Sequence, residues 1–331
     1  MILSIADRPR YGLLEISEAM VEYARRHAGT PGQTLYHPSL RTAGDLPKAP
    51  FSVRGLLRRA ARREFGTLVV WSVGITYLLL PVVRLLHPRA RIVIVCHEPG
   101  GLRQRLAKGD PLRYSVTVSL YERLFLRFAD LVVTPNLQNS KRFGMPFAPL
   151  LFVRPAAAAA SARDCLVYLG RRSANRALYL FTGQAGRRLL QAAGGALRFS
   201  FFPDGERRSS EDKEQLMRQA LCTANLYTVR HNQSGVTPDS LRFGVPVIVS
   251  EFDAFAAEIA SYRAGIVLPK DRISTESVAQ AVQAIRADFD AYSAGAAQLF
   301  DACFGDTAFQ RYWMPLLCAE QGAQAVPTVR A

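Results

Sequence analysis

The chain has 331 residues, 49% of them hydrophobic, and a formal net charge of +15, so it is long enough for two domains with separate cores and too apolar for a disordered chain. Five cysteines, Cys96, Cys165, Cys222, Cys303 and Cys318, stand far apart with no CxxC pair, which excludes a compact disulfide scaffold and a cysteine-based zinc cluster. Residues 1–150 hold 22 Lys and Arg against 10 Asp and Glu, the remainder 20 against 17, so the basic surface belongs to the first half and draws anionic partners there.

The opening MILSIADRPRYG reaches charged residues too early for a secretory signal, and a reducing, cytoplasmic setting is expected. MILSIA reads as a first strand, and RYGLLEISEAMVEYARRH as a turn containing Gly12 followed by an amphipathic helix. Without a Cβ, Gly12 lets the loop approach an acceptor or a phosphate, or it simply makes the turn. Next, VRGLLRRAARREF sets Val53, Leu56, Leu57, Ala60, Ala61 and Phe65 at helical spacing, with Arg58, Arg59, Arg62 and Arg63 opposite. Such a basic amphipathic helix either lies on an anionic bilayer or turns its apolar stripe to its own core. Residues 65–83 carry no charge, which approaches the lower limit of about 18 residues for a spanning helix. Gly74 and Pro81 interrupt that run, however, and Arg84, His87 and Pro88 precede a second apolar strand, so a strand, a crossover helix and a parallel strand are expected instead.

The strand IVIVC ends at His97 and Glu98, and a Gly-rich basic loop is expected over 98–108, with Arg103, Arg105 and Lys108 available to an anionic acceptor or headgroup. Helix SLYERLFLRFA and strand DLVVTP follow, then a Pro- and Ala-rich connection, which sets domains at 1–147 and 148–331. A second alternating series runs through CLVYLG, LRFSFF, helix EDKEQLMRQAL, strand NLYTV, the loop HNQSG, VPVIVS, GIVLP and helix TESVAQAVQAIRADFDAY, with aromatic helical segments at the end that can pack back on the first domain. The alternation predicts an α/β protein of two Rossmann-like, doubly wound parallel-sheet domains, with ligands outside the carboxyl ends of the strands. Gln233, Ser234 and Gly235 make a polar turn, and Thr237 and Pro238 read as N-cap and first residue of a short helix that carries Asp239. Its free N–H groups suit an anion, and Asp239 suits ribose hydroxyls. No helix-turn-helix, zinc finger or RNP-type strand accompanies the basic half, so no nucleic acid is expected as a partner. The only DxD, Asp288-Phe289-Asp290, falls in a helical segment and reads as a solvated face rather than a metal site.

Gly170-Arg171 with Arg176, Asp204-Gly205, the block PDSLRFGVPVIVS, and Glu258 followed by Ala264-Gly265 make the C-terminal half resemble glycosyltransferases of the GT-B fold, in particular the retaining family 4. The strand ending at His97 and the stretch YERLFLRFADLVVTPN resemble that fold's acceptor domain. The resemblance implies two such domains facing a cleft, a UDP- or GDP-linked nucleotide-sugar donor, and neither cofactor nor metal. It also implies that Arg171 and Arg176 flank the diphosphate. Asp204, Gly205, His231, Asn232, Ser234, Gly235, Val236, Thr237 and Asp239 would then line the donor, and His97 or Glu98 would face the sugar. Where that family has glutamates eight positions apart, this chain has His231 and Asp239, or Asn232 in place of His231 with a one-residue offset. The basic first half then points to a polyprenyl-phosphate-linked, glycolipid or saccharide acceptor, and to a peripheral position on the anionic inner face of the cell membrane. A sugar-nucleotide epimerase or phosphorylase of the same fold, and a catalytically silent binding subunit, are the alternatives.

Overall fold

The computed structural model describes residues 1–7, 11–39, 47–71, 74–97, 99, 101–107, 111–155, 163–169, 176–194, 198–202, 210–229 and 235–318. The chain divides into two units, Met1–Phe152 joined by the segment from Asp306 onward, and Val153–Gly305.

Among the described residues the first unit contains six strands: β1 (Ile2–Ala6), β2 (Gly32–Tyr36), β3 (Lys48–Pro50), β4 (Thr67–Val70), β5 (Arg91–Val95) and β6 (Leu131–Val133). They form one parallel sheet in the order β3-β2-β1-β4-β5-β6. Its helices are α1 (Tyr11–Ala28), α2 (Val53–Ala61), α3 (Ile75–Leu86), α4 (Gly101–Ala107), α5 (Leu112–Phe125) and α6 (Leu137–Phe143). Successive strand residues point to opposite faces, so Leu3, Ile5, Leu68, Val70, Ile92 and Ile94 present one apolar face, covered by Leu56 and Ala60 of α2, Tyr77, Leu80 and Val83 of α3, and Tyr121 and Phe125 of α5. The stripe of the basic amphipathic helix is therefore core, and of its two readings the internal one holds. Within the uncharged run, Thr67–Val70 is β4 and Ile75 begins α3, as expected, and among the described residues no helix is long and apolar enough to cross a membrane.

On the other side of the sheet, the returning segment docks through aromatic residues. The Trp313 indole N–H donates to the Pro149 carbonyl at 2.8 Å, and its ring lies 5.3 Å from that of Trp71. Tyr23 of α1 donates to the Phe152 carbonyl at 2.8 Å and stacks on Phe309 at 5.7 Å.

Three sequence expectations need correction here. Gly12 lies within the first turn of α1 rather than in a loop. The segment expected as a Gly-rich loop holds helix α4. Strands β2 and β3 were not anticipated, because GQTLY and KAP are short and only partly apolar.

The second unit contains β7 (Cys165–Leu169), α7 (Gly183–Ala192), β8 (Arg198–Phe202), α8 (Ser210–Arg218), β9 (Ala220–Asn225), α9 (Val236–Leu241), β10 (Val247–Ser250), α10 (Ala256–Ser261), β11 (Gly265–Leu268), α11 (Thr275–Ala287) and α12 (Phe289–Cys303). Its strands are parallel in the order β11-β10-β9-β7-β8. Gly265 is the residue that lets β11 lie against β10, since a Cβ there would collide with the Val247 backbone. The strand expected at NLYTV is instead ALCTAN, and α8 stops at Arg218. Every residue of ALCTAN is buried, so it shows no alternation, and its Ala, Leu and Cys suit a helix equally well.

Candidate functional site

In open parallel sheets, the crevice for a ligand opens outside the carboxyl ends of the strands, where neighbouring connections leave toward opposite faces. That point falls between β7 and β9 in the second unit and between β1 and β4 in the first.

At the second-unit point, Arg176 pairs with Tyr227 across an antiparallel bridge. Its guanidinium donates to the Leu169 carbonyl at 2.7 Å and to the Tyr227 hydroxyl at 2.6 Å, and it stacks over the Tyr227 ring at 4.8 Å and the Tyr168 ring at 5.7 Å. The side chain is only 9% exposed. These bonds fasten the end of β7 to the end of β9, so Arg176 shapes the edge of the crevice. The guanidinium expected beside a diphosphate is thus held by protein contacts at that edge.

Beside it, α9 rests on β9 through polar contacts. Asn225 and Thr223 project from the same face of β9. The Asn225 amide donates to Thr237 Oγ1 at 3.1 Å and to Asp253 Oδ2 at 3.2 Å, and the Thr237 hydroxyl donates to Asp253 Oδ2 at 2.8 Å. Thr223 donates to Ser240 Oγ at 2.8 Å, and Ser240 donates to the Val236 carbonyl at 2.8 Å. Thr237 is thus inside the helix and tied to the sheet; the N-cap is Gly235, which has no side chain to bond with. The expectation of Thr237 as N-cap is corrected accordingly. Gly235 is exposed and Val236 half-buried at the helix start.

The Asp239 side chain is mostly buried. Its carboxylate is held by Lys213 at 3.0 Å and Arg242 at 2.7 Å, with all three side chains mostly buried. Burial raises its pKa, but Arg242 and Lys213 outweigh burial and hold it below the usual carboxylate range. The expected ribose acceptor is therefore already occupied by two cations. The trio carries one net positive charge at the carboxyl edge of the sheet.

Asp253 titrates the other way. Burial holds its pKa above the ordinary value, against the opposing pull of the Phe255 N–H, Thr237 and Asn225. A group whose folded pKa is raised contributes most stability below the unfolded pKa and loses it as pH rises through the folded value. Asp253→Asn is therefore expected to gain stability relative to the native protein as pH rises from about 4 to about 7. Thermal melts of both proteins across that range check this; a difference that does not change with pH contradicts it.

In the first unit, a pocket of about 610 Å³ opens at the carboxyl ends of β1 and β2, lined by Asp7, His37, Ser52, Ile75, Leu78 and Tyr121 among others. Asp7 Oδ2 accepts from the Thr76 N–H at 3.0 Å and the Thr76 hydroxyl at 2.7 Å, which caps the start of α3 from another element. A Cβ on Gly74 would collide with both Asp7 carboxylate oxygens, so glycine is required for this approach. His97, just beyond β5, is half-buried, with Nε2 2.9 Å from the Trp71 carbonyl. A carbonyl only accepts, so Nε2 donates in this contact.

Arg105, expected in a mobile basic loop, is 4% exposed and paired with Glu122 at 2.6 Å, so it is a core residue of the α4–α5 contact. Arg103 is exposed on α4. Glu98, Arg171, Asp204, Gly205, His231, Asn232 and Ser234 lie outside the described residues. Among the described residues, no group of three or more His, Cys, Asp and Glu is placed to hold a metal ion. Asp288 pairs with Arg263 at 2.6 Å on the surface. Sequence reasoning missed Asn225, Tyr227, Lys213, Arg242, Asp253 and Asp7. The polar Asn225 at the end of an apolar strand was the available signal, obscured by placing that strand five residues too late.

No protein-family model matches the sequence, and no curated protein matches it. Solved structures match over nearly the whole chain. AviGT4, a glycosyltransferase involved in avilamycin A biosynthesis, has a TM-score of 0.64 at 14% identity, covering 97% of this chain and 99% of its own. HepE of Anabaena in complex with UDP and glucose has a TM-score of 0.62 at 13% identity, with 96% and 99% covered. Sucrose-phosphate synthase from Thermosynechococcus elongatus has a TM-score of 0.56 at 14% identity, with 96% and 99% covered. At such identities the likeness establishes the fold, which is GT-B, with two Rossmann-like parallel-sheet domains.

Proposed function

We propose that the protein is a glycosyltransferase that moves a sugar from a UDP- or GDP-linked donor, seated on the second unit, to an acceptor held by the first. The observation that carries this reading is the end-to-end correspondence with HepE, solved with UDP and glucose, at a TM-score of 0.62. The charge distribution supports the same assignment of roles. A departing nucleoside diphosphate carries several negative charges, and the carboxyl edge of the second sheet holds the Lys213–Asp239–Arg242 trio, two cations to one carboxylate. Fixed cations of this kind stabilise a leaving diphosphate as a divalent metal does elsewhere, and we assign a metal-independent transfer on that basis, with retention resting on the resemblance to family 4 alone.

The first-unit pocket suits the acceptor. Its walls are largely apolar, with Asp7, His37 and Ser52 to orient a hydroxyl. His97, just beyond the end of β5, is the candidate for contact with the sugar or its phosphate. Because the first half is strongly basic, the acceptor class we favour is a lipid-linked saccharide or glycolipid in surface-polysaccharide assembly at the inner membrane face. The test is nucleoside diphosphate release from UDP- and GDP-sugars with and without a polyprenyl-phosphate-linked or saccharide acceptor. Release that depends on the acceptor is expected. Sugar epimerisation without release, phosphate-dependent breakdown, or donor binding with no turnover would each overturn the reading.

A further inference from the structure

Helices α3, α4 and α5 pack side by side, α4 on α5 and α5 on α3. Their outward surface is unusual in both polarity and charge. Of the fifteen large hydrophobic side chains exposed among the described residues, eleven lie on these three helices. On α3, Ile75, Leu78, Val82 and Leu85 recur at spacings of three and four and form one stripe, with Leu85 81% exposed. On α5, Leu112, Val116, Leu120 and Leu124 follow one another every turn, with Leu112 62% exposed. An exposed apolar surface of this extent marks an interaction site.

The charges on it are all of one sign. The only acidic residue in α3, α4 and α5 is Glu122, and it is buried against Arg105. Arg103, Arg113 and Arg123 are exposed, and none of them pairs with a carboxylate among the described residues. A second copy of the chain would set like charges against one another across this face, whereas an anionic lipid surface complements both the leucines and the arginines.

We infer that the α3–α4–α5 face seats the protein on an anionic lipid bilayer, with its leucines at the boundary of the acyl region and its arginines among the headgroups. The acceptor pocket shares Ile75 and Leu78 with this face and Tyr121 with α5. A lipid-linked acceptor therefore meets the pocket without leaving the bilayer. This last step rests on the glycosyltransferase reading; the bilayer contact does not. The contact also differs from the one anticipated for α2, whose apolar stripe is internal.

The test is cosedimentation with extruded vesicles of phosphatidylcholine alone or mixed equally with phosphatidylglycerol, at low and high salt. The native protein is expected to bind the anionic vesicles and to release at high salt. Leu120→Glu/Leu124→Glu is expected to lower the bound fraction at least tenfold, and Arg113→Glu/Arg123→Glu several-fold, while Arg272→Glu on the second unit leaves it unchanged. Circular dichroism checks the fold, and if the leucine variant does not fold, the arginine variant decides. Indifference of the native protein to anionic vesicles overturns the proposal, as does undiminished binding by the variants. So does a dimer in sedimentation equilibrium that the leucine variant dissociates. UDP binding measured without vesicles reports on the catalytic reading separately, so failure of one does not imply failure of the other.

Discussion

Asp239→Asn is expected to destabilise the protein by about 3–5 kcal/mol, the usual penalty for removing one member of a buried ion pair. The carboxylate is gripped on one side by Lys213 at 3.0 Å and on the other by Arg242 at 2.7 Å. The substitution keeps the shape of the side chain but leaves two mostly buried cations facing each other without the charge that holds them apart from bulk water. Urea unfolding at neutral pH measures the effect. The pH dependence fixes its origin. Because the folded pKa of Asp239 is lowered, its contribution is present above the unfolded carboxylate pKa and is lost as pH falls through the folded value. The gap between native protein and variant should therefore close below about pH 4. A gap that persists unchanged in acid would mean that the carboxylate charge plays no part.

Arg176→Ala is expected to destabilise by about 2–4 kcal/mol, since it removes charge-assisted hydrogen bonds and leaves their acceptors buried. The guanidinium bridges the Leu169 carbonyl and the Tyr227 hydroxyl, and it lies against two tyrosine rings. Arg176→Lys should recover only part of this, because an ammonium cannot make the planar, two-pronged contact and stack at once. On the proposed function, UDP affinity should fall in both variants in step with stability, because this residue fixes the ends of β7 and β9. Equal stability of Arg176→Ala and the native protein in urea would refute the bridging role; weakened UDP binding without destabilisation would restore a direct grip on the ligand.

The alternation of strands and helices was readable because each main strand, such as VIVS or RIVIV, is a short apolar run bounded by turn residues, and a parallel sheet buries such runs on both faces. The same property hid β9. ALCTAN has small side chains and no alternation, so nothing local distinguished it from the preceding helix. That displacement carried the site reading with it, because Asn225 looked like the start of a strand when it is the last residue of one. Thr237 met every local criterion for an N-cap, and tertiary contacts with Asn225 and Asp253 overrode them. Arg105 and Arg176 read as cations available to an anionic ligand. Their buried partners, Glu122 and Tyr227, are 17 and 51 residues away, beyond any periodicity argument. The split role of the basic first half was likewise illegible. The arginine-rich helix α2 gives its apolar side to the core, whereas the exposed leucines sit on α3 and α5, whose narrow buried stripes leave the rest outward.

A nucleoside diphosphate is expected to bind at the carboxyl edge of the second sheet, where β7, β9 and the start of α9 converge. Amide hydrogen exchange with and without saturating UDP tests it most directly. Slower exchange is predicted around the ends of β7 and β9 and through α9. Protection confined to the first unit, or none at all under saturating nucleotide, would contradict it.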